Sequence, residues 1–180
     1  LSRWVKPKRV STPLFLMPAR GWIERQPLGV VGIISPWNYP LQLALAPAID
    51  AIAAGNRVMI KTSELTPHTS AQLAGLVAQF FAPDEMCVVQ GDAAVAALVA
   101  SLPFDHLVFT GSTAVGRKVA QAAAQNLTPT TLELGGKSPC IIDGHCDMQD
   151  AALKIAHGKL LNAGQTCIAP DYVLLPRGRE

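Results

Sequence analysis

The sequence predicts an α/β protein in which a mainly parallel sheet is flanked by helices. From Gly29 onward, short runs of β-branched residues alternate with alanine-rich stretches of helical composition. Such alternation is typical of βαβ units, in which each helix carries the chain back so that consecutive strands lie parallel. Hydrophobic residues make up 49% of the chain, which is ample for a buried core. We therefore do not expect a disordered chain.

Apolar runs place the strands, and signals at the helix ends place the first two helices. We predict strands near residues 29–35, 57–61, 86–90, 105–110, 130–134 and 139–142. Pro40 at a first helical position and Gly55 just past the end bracket the first helix. Thr66 followed by Pro67 begins the second helix. Its apolar residues recur at helical spacing: Leu73, Leu76, Val77 and Phe80.

Capping residues place two more helices. Asp92 can cap the third helix, and Ser112 or Thr113 can cap the fourth, because short polar side chains accept hydrogen bonds from the first free backbone N–H groups. A fifth helix is expected near residues 149–162.

The segment before Gln26 has a different pattern. It contains Pro7, Pro13 and Pro18, with extended runs near residues 14–17 and 22–25. Proline is tolerated at strand edges and in turns, so this pattern predicts a hairpin rather than a crossover unit.

The charge balance excludes several classes of protein. The chain has 15 basic and 13 acidic residues, a net charge of +2, so it has no basic face for nucleic acid. The small cluster of Lys6, Lys8 and Arg9 is interpreted as a solvated edge. The longest apolar run, residues 41–55, contains polar residues and is too short to span a membrane.

The four cysteines do not have the paired spacing of a disulfide-stabilised secreted domain. They are Cys87, Cys140, Cys146 and Cys167. This usage indicates a reducing, cytoplasmic setting. Cys140 and Cys146 lie close to His145 and Asp147, but there is no second Cys/His pair at zinc-site spacing, so no metal is predicted.

Three short strings carry the groups needed for acyl transfer through a thioester. Cys167 ends the string NAGQTC, Glu133 lies within TLELGGK, and Asn38 lies within PWNYP. A thiolate is a strong nucleophile, a carboxylate can deprotonate water, and an amide N–H can hold an oxyanion. Each residue also has a structural reading: Cys167 as filler in a turn, Glu133 as a solvent-facing strand residue and Asn38 as a helix cap.

A short glycine-containing segment can bind phosphate. Gly111 to Gly116 lies between a predicted strand and helix, where backbone N–H groups and the helix dipole can receive a pyrophosphate. The segment lacks the three glycines of the standard dinucleotide fingerprint. Arg117 and Lys118 replace the Lys and Ser/Thr of a triphosphatase phosphate loop, which excludes that class.

Taken together, these strings resemble the aldehyde dehydrogenase superfamily, from about Gln26 to Pro176. The segments 61–64 and 109–113 match as well, and the segment 167–172 (CIAPDY) resembles the class 3 and coniferyl aldehyde dehydrogenase branch. Family members are more than twice this length, so we expect a truncated aldehyde dehydrogenase fold with a Rossmann-like sheet. The resemblance implies part of an oligomerisation hairpin element in residues 1–25, an NAD-binding domain in residues 26–134, and the start of a catalytic domain in residues 135–180.

The resemblance implies oxidation of an aldehyde to a carboxylic acid. Cys167 would attack the carbonyl, the Asn38 side chain and the Cys167 N–H would hold the oxyanion, and Glu133 would activate water. The implied cofactor-binding residues are Ser35, Pro36, Trp37, Lys61, Glu64, Gly91, Phe109, Thr110, Gly111, Ser112, Val115, Leu134 and Gly135. A carboxylate at Glu64 disfavours a 2′-phosphate, so NAD is expected, with NADP as the alternative.

Two other functions are open from the sequence. One is a CoA-acylating relative, against which Glu133 argues because that group generally lacks the glutamate. The other is a nucleotide-binding module in which Cys167 is a redox sensor. The isolated chain is expected to be inactive, and the full-length protein to be a homodimer or homotetramer.

The spacing of Tyr39, Leu43 and Ala46 suggests a substrate class. These residues share one face of the first helix, and that face either lines the route to Cys167 or packs the core. If it lines the route, an aromatic substrate such as coniferyl aldehyde is favoured.

Overall fold

Five parallel strands form the centre of the structure, a computed structural model that describes residue 3 and residues 5–178. Residues 1, 2 and 4 of the predicted hairpin element and residues 179 and 180 of the predicted catalytic segment lie outside the described residues. The strands are β1 Lys8–Val10, β2 Gly21–Ile23, β3 Val30–Ile34, β4 Arg57–Lys61, β5 Met86–Val89, β6 His106–Gly111, β7 Thr130–Leu134, β8 Ser138–Ile141 and β9 Pro170–Leu174. The helices are α1 Gln42–Ala53, α2 Pro67–Phe80, α3 Ala93–Ala100, α4 Thr113–Ala124 and α5 Met148–Leu160.

The order of strands in the central sheet is β5-β4-β3-β6-β7, and every neighbouring pair is parallel. After β3, the chain adds β4 and β5 on one side of β3, and then β6 and β7 on the other side. This reversal opens a crevice beyond the carboxyl ends of the strands, which is where open α/β sheets bind ligands. The predicted α/β class is confirmed.

Each face of the sheet has its own buried core. Ile33 packs with the alanines of α1 and with Leu73 and Val77 of α2. Ile34 faces the opposite side and packs with residues of α3 and α4, among them Val119. This division follows from the alternation of side chains along a strand. The predicted stripe of α2 is only half buried, because Leu76 and Phe80 are exposed.

The predicted helix signals are largely confirmed. The Asp92 carboxylate accepts hydrogen bonds from two N–H groups of α3 at 3.0 and 3.2 Å, and Ser112 Oγ accepts one from Val115 at 3.3 Å. Pro67 is the first residue of α2. Gly55, with φ of +90°, follows α1 in a conformation that glycine adopts without steric cost. The first helix begins at Gln42, so the prediction of Pro40 as a first helical residue is wrong, and Tyr39 lies before α1 rather than on its face.

The N-terminal hairpin is present, but one of its predicted strands is wrong. β1 pairs antiparallel with β2, whereas residues 14–16 form a 3₁₀ turn. The N–H of Leu16 donates to the Pro13 carbonyl at 2.9 Å, and the N–H of Met17 donates to the Leu14 carbonyl at 3.1 Å. Because β1 already occupies the paired edge of β2, the backbone of residues 14–16 forms local hydrogen bonds instead.

The C-terminal part forms a small unit with β8 and β9 paired in parallel. The helix α5 between them is capped by Asp147, which accepts hydrogen bonds from Gln149 and Asp150. β9 was not predicted from the sequence, and its first residue is a proline. Pro170 is nevertheless compatible with the start of a strand, where its missing N–H costs little.

In the described part of the chain, no helix has the length and apolar character needed to cross a membrane. The four cysteines are free.

Candidate active site

A cleft of about 460 Å³ lies beyond the carboxyl ends of β3, β4 and β6. Ten of the predicted cofactor-binding residues line it: Ser35, Pro36, Trp37, Lys61, Glu64, Phe109, Thr110, Gly111, Ser112 and Val115. They come from the ends of three strands and the start of one helix. The switch in strand order therefore brings together residues that are up to 80 positions apart, from Ser35 to Val115.

One wall of the cleft was not predicted from the sequence. It consists of small side chains on facing surfaces of α3 and α4: Ala93, Ala96, Ala97, Ala100 and Ala122. The alanines of α3 recur at spacings of three and four, so they lie on one face of the helix. The periodicity of these alanines could have predicted this wall from the sequence, because small residues on one helix face leave room for a flat group between two helices.

Lys61 is buried at the end of β4, with only 1% of its surface exposed. This burial excludes the alternative interpretation of Lys61 and Glu64 as a solvent-exposed pair in a turn. Its Nζ donates a 2.6 Å hydrogen bond to the carbonyl of Thr62. Burial lowers the pKa of the Lys61 ammonium, and the carboxylates of Glu64 and then Asp92 oppose that effect. Lys61 is therefore a partly desolvated donor on the wall of the cleft.

Thr62 is a further residue of the cleft that was not predicted from the sequence. It is buried, lines the cleft, and carries the one buried side-chain polar atom of the described residues that lacks a hydrogen-bond partner, Oγ1. Buried polar atoms are nearly always paired, so this oxygen indicates a polar ligand in the cleft. A group rich in hydroxyls and phosphates, such as a dinucleotide, fits Thr62 Oγ1 together with the N-terminus of α4.

Three of the predicted cofactor residues do not line the cleft: Gly91, Leu134 and Gly135. Gly91 has φ of +145°, and a Cβ there would lie 2.6 Å from a Val95 methyl carbon, so a local packing requirement explains this glycine. Leu134 packs against Gly116, where an added Cβ would lie 2.7 Å from a Leu134 methyl carbon. Gly135 follows on the exposed side.

Cys167 lies at the end of an unusual turn, residues 162–167, which we call the Cys167 turn. Asn162, Ala163 and Gly164 have φ values of 50°, 56° and 79°. The left-handed conformation costs an L-residue roughly 1–2 kcal/mol, so two non-glycine residues in this region need support from their surroundings. The turn presents Cys167 on the surface, where its side chain is exposed.

The support comes from the segment just beyond β3. Asn38 Nδ2 donates to the Gln165 carbonyl at 2.8 Å, and Asn162 Nδ2 donates to the Asn38 carbonyl at 2.8 Å. The hydroxyls of Tyr39 and Thr166 are 2.7 Å apart. Three hydrogen bonds thus hold the Cys167 turn beside the cleft. Asn38 has a second Nδ2 hydrogen that these bonds do not use.

Glu133 lies near the same end of the sheet. It pairs in register with Thr110, which lines the cleft. The position of Glu133 between Leu132 and Leu134 predicts a buried carboxylate, and this prediction is wrong: β7 is an edge strand, and Glu133 projects from its exposed face. The chain then passes Gly136, where an added Cβ would lie 3.8 Å from the Cys167 carbonyl oxygen.

The cluster around His145 has structural tasks. Asp147 caps α5, and Asp143 Oδ1 accepts a hydrogen bond from the His145 N–H at 2.9 Å. Within residue 3 and residues 5–178, no group of three or more His, Cys, Asp or Glu side chains could hold a metal ion.

A parallel sheet with its cleft at the reversal of strand order is the architecture of the Rossmann-like α/β proteins, which bind dinucleotides and other ligands at this place. A model of the aldehyde dehydrogenase family matches residues 8–179, and the chain belongs to that family. It is 56% identical over 179 residues to a Pseudomonas aeruginosa protein named "Probable coniferyl aldehyde dehydrogenase", covering 99% of this chain and 38% of that relative. The chain therefore spans little more than a third of the relative's length.

Two solved structures show the same fold. The substrate-bound state of Staphylococcus aureus AldH superposes with a TM-score of 0.95 at 46% identity, covering 98% of this chain and 38% of that one. A Mycobacterium tuberculosis aldehyde dehydrogenase complexed with NAD⁺ superposes with a TM-score of 0.86 at 36% identity, covering 96% of this chain and 35% of that one. The predicted fold and family resemblance are confirmed.

Proposed function

We propose that the full-length protein oxidises an aldehyde to a carboxylic acid with NAD, through a thioester on Cys167. The observation that carries the proposal is the 2.8 Å hydrogen bond from Asn38 to the turn that bears Cys167. Asn38 directly follows Trp37, which lines the cleft, so this bond joins the nucleophile to the edge of the dinucleotide site.

The first step is attack of the Cys167 thiolate on the carbonyl carbon, which forms a C–S bond and moves an electron pair onto oxygen. The resulting oxyanion needs donors that are already oriented. The second hydrogen on Asn38 Nδ2 and the Cys167 N–H are assigned this role. Because Asn38 is tied to Gln165, its amide keeps a fixed direction relative to the turn.

The cofactor is held by the cleft residues. Lys61 and Glu64 are assigned to the adenosine ribose, Thr62 Oγ1 to a nearby polar group, and the N-terminus of α4 at Ser112 to the pyrophosphate. The chemistry that a bound NAD supplies is acceptance of the hydride from the former carbonyl carbon. The Glu64 carboxylate favours NAD over NADP.

Glu133 is assigned as the base that completes the reaction. Its carboxylate removes a proton from water, the water oxygen attacks the thioester carbon, and the C–S bond breaks to release the acid and restore the Cys167 thiolate, while the proton taken up by Glu133 returns to solvent. The exposure of Glu133 gives water direct access to the carboxylate.

Replacing Glu133 with Gln in the full-length enzyme should slow steady-state turnover about a hundredfold, the lower part of the range for general bases. Hydride transfer precedes hydrolysis, so one equivalent of NADH per site should still form in a burst as the acyl-enzyme accumulates. Stopped-flow absorbance measures both phases. Glu85→Gln is a matched control, because the Glu85 carboxylate only accepts a hydrogen bond from the Ala82 N–H. Unchanged turnover in Glu133→Gln would exclude it as the base.

Replacing Lys61 with Met should weaken NAD binding and raise stability at neutral pH. Because the pKa of Lys61 is lowered in the folded protein, the unfolded chain binds its proton more tightly and the charge opposes folding. The cost of burying the charged Lys61 disappears as the pH rises from its lowered pKa towards the ordinary 10.5. The Tm of the parent protein should therefore approach that of Lys61→Met over this pH range.

Thermal melts across that pH range test the stability effect, and calorimetric titration tests binding. Loss of a hydrogen bond from a charged donor should raise the Kd for NAD roughly tenfold or more. An unchanged Kd would remove Lys61 from the cofactor site.

We further propose an aromatic aldehyde, such as coniferyl aldehyde, as the substrate. The core face of α1 consists of Ala44, Ala48 and Ala51, whereas Leu43 is half-buried and Ala46 is exposed. The face of Leu43 and Ala46 is therefore available to line a route to Cys167. The name of the Pseudomonas aeruginosa relative supports the same substrate.

The substrate assignment predicts that Ala46→Trp lowers kcat/KM for coniferyl aldehyde at least tenfold, because the indole fills the space left for the ring. Acetaldehyde, which needs no such space, should be affected much less. Comparison of kcat/KM for coniferyl aldehyde, benzaldehyde, hexanal and acetaldehyde measures the preference. Normal handling of coniferyl aldehyde by Ala46→Trp would remove this substrate hypothesis and leave the dehydrogenase proposal intact.

The cytoplasmic setting, the homo-oligomeric state and the domain limits at residues 25/26 and 134/135 remain predictions.

A further inference from the structure

A hydrogen bond between the hydroxyls of Tyr39 and Thr166 joins the segment that carries Asn38 to the turn that carries Cys167. No step of the proposed reaction uses these two hydroxyls. Tyr39 lies one residue after Asn38 and just before α1, and Thr166 lies one residue before Cys167. Their hydroxyl oxygens are 2.7 Å apart and partly buried. A bond so placed can fix where the thiol sits relative to the oxyanion donor.

Tyr39 is firmly anchored at its own end. Its carbonyl accepts a hydrogen bond from the Leu43 N–H at 3.0 Å, which ties the residue to the first turn of α1. The following turns of α1 bury Ala44 and Ala48 against the sheet. The Tyr39 hydroxyl is therefore carried by a rigid ring on a rigid helix start, and it can act as a fixed point.

The Cys167 turn, by contrast, has a backbone that does not favour its own conformation. Asn162 and Ala163 are both in the left-handed region, with φ of 50° and 56°. The N–H of Gln165 donates to the Asn162 carbonyl within the turn, and the N–H of Ala169, just beyond the turn, donates to the Thr166 carbonyl, both at 3.1 Å. Ala169 is buried, so the far end of the turn is fixed by packing. The residues between Asn162 and Ala169 therefore need support from another segment of the chain.

We propose that Tyr39 is a positioning residue for the nucleophile: its hydroxyl holds Thr166 so that the Cys167 turn keeps the thiol beside the Asn38 amide. Asn162, through its bond to the Asn38 carbonyl, supports the other end of the turn. The role concerns the hydroxyl alone and is separate from any contact of the Tyr39 ring with substrate. The inference rests on the proposed function, because it takes Cys167 as the nucleophile.

The test uses variants of the full-length protein that remove one hydroxyl and little else. Tyr39→Phe and Thr166→Val each delete the bond from one side, and the double variant deletes both partners. Thr166→Ser keeps the hydroxyl and should rescue the effect. Tyr172→Phe removes the hydroxyl of the other tyrosine in this chain, which is about half exposed, and serves as the control.

Hydrogen exchange in a peptide covering residues 162–169 is the first measurement. Loss of one hydrogen bond should make the Gln165 and Ala169 amides exchange about fivefold faster. The double variant should exchange no faster than either single variant, because both changes remove the same interaction. Exchange in Thr166→Ser and Tyr172→Phe should match the parent protein. Unchanged exchange in both Tyr39→Phe and Thr166→Val would overturn the proposal.

Steady-state kinetics are the second measurement. Tyr39→Phe and Thr166→Val should lower kcat for aldehyde oxidation about fivefold, while the Kd for NAD and the Tm stay close to those of the parent protein. Faster exchange with an unaltered kcat would overturn the positioning role. Absence of aldehyde oxidation in the parent protein would contradict the proposed function instead, and hydrogen exchange would still decide whether the hydroxyl pair holds the turn.

Discussion

Replacing Cys167 with Ala in the full-length enzyme should abolish aldehyde oxidation, with a loss above about a thousandfold, the scale expected when a nucleophile is removed. The thioester cannot form without the thiol, and no other described residue of the Cys167 turn offers one. NAD binding should persist, because the cleft lies beside the turn and Cys167 is not among its lining residues. Turnover assays and calorimetric titration with NAD test the two expectations.

Cys87→Ala is the matched control for this change. Cys87 is half-buried in β5, and burial raises the pKa of its thiol, which keeps it protonated and unreactive. We expect this variant to alter stability and leave kcat unchanged. A Cys167→Ala enzyme that kept a tenth of the parent rate would refute the nucleophile assignment.

Replacing Asn38 with Ala should lower kcat roughly 10²–10³-fold, as expected for loss of an oxyanion donor. In this chain the substitution also deletes the 2.8 Å bond to the Gln165 carbonyl, so the turn loses a support at the same time. Single-turnover kinetics should place the defect before hydride transfer, with no burst of NADH. This behaviour would distinguish the variant from Glu133→Gln.

Asn56→Ala is a suitable control because Asn56 is a structural asparagine. Its Oδ1 accepts hydrogen bonds from the N–H groups of Leu28 and Gly29 at 2.6 and 3.0 Å, and its Nδ2 donates to the Ala51 carbonyl at 2.9 Å. Its loss should lower the Tm without changing kcat. If Asn38→Ala behaved in the same way, with a lower Tm and full activity, Asn38 would be only a structural residue.

Local signals were sufficient for most of the central sheet. The capping residues Asp92 and Ser112 were found because a cap depends on one side chain and the two or three N–H groups that follow it. Local signals failed where pairing decided the outcome. Residues 14–16 read as a strand, but β1 already occupies the edge of β2. β9 was missed because it begins with Pro170 and Asp171 and is mostly exposed, so it lacks the apolar run that marked the other strands.

Burial was harder to predict than element type. Glu133 lies between two leucines, which suggested a buried carboxylate, yet β7 is an edge strand and the side chain is exposed. For Lys61 the error runs the other way: a lysine at a strand end suggests an exposed side chain, whereas the structure buries it. Position in the sheet, rather than the neighbouring residues, decided both cases.

The sequence alone determined the α/β class, the order of the elements, the family and the residues with suitable chemistry, because these depend on periodicity and on short contiguous strings. Only the tertiary structure placed Asn38 and Tyr39 against a turn more than 120 residues later. It also revealed the unpaired Thr62 hydroxyl and the alanine wall of the cleft. Such relations depend on which strand ends and helix faces meet once β6 is added on the other side of β3, and the packed sheet alone decides that.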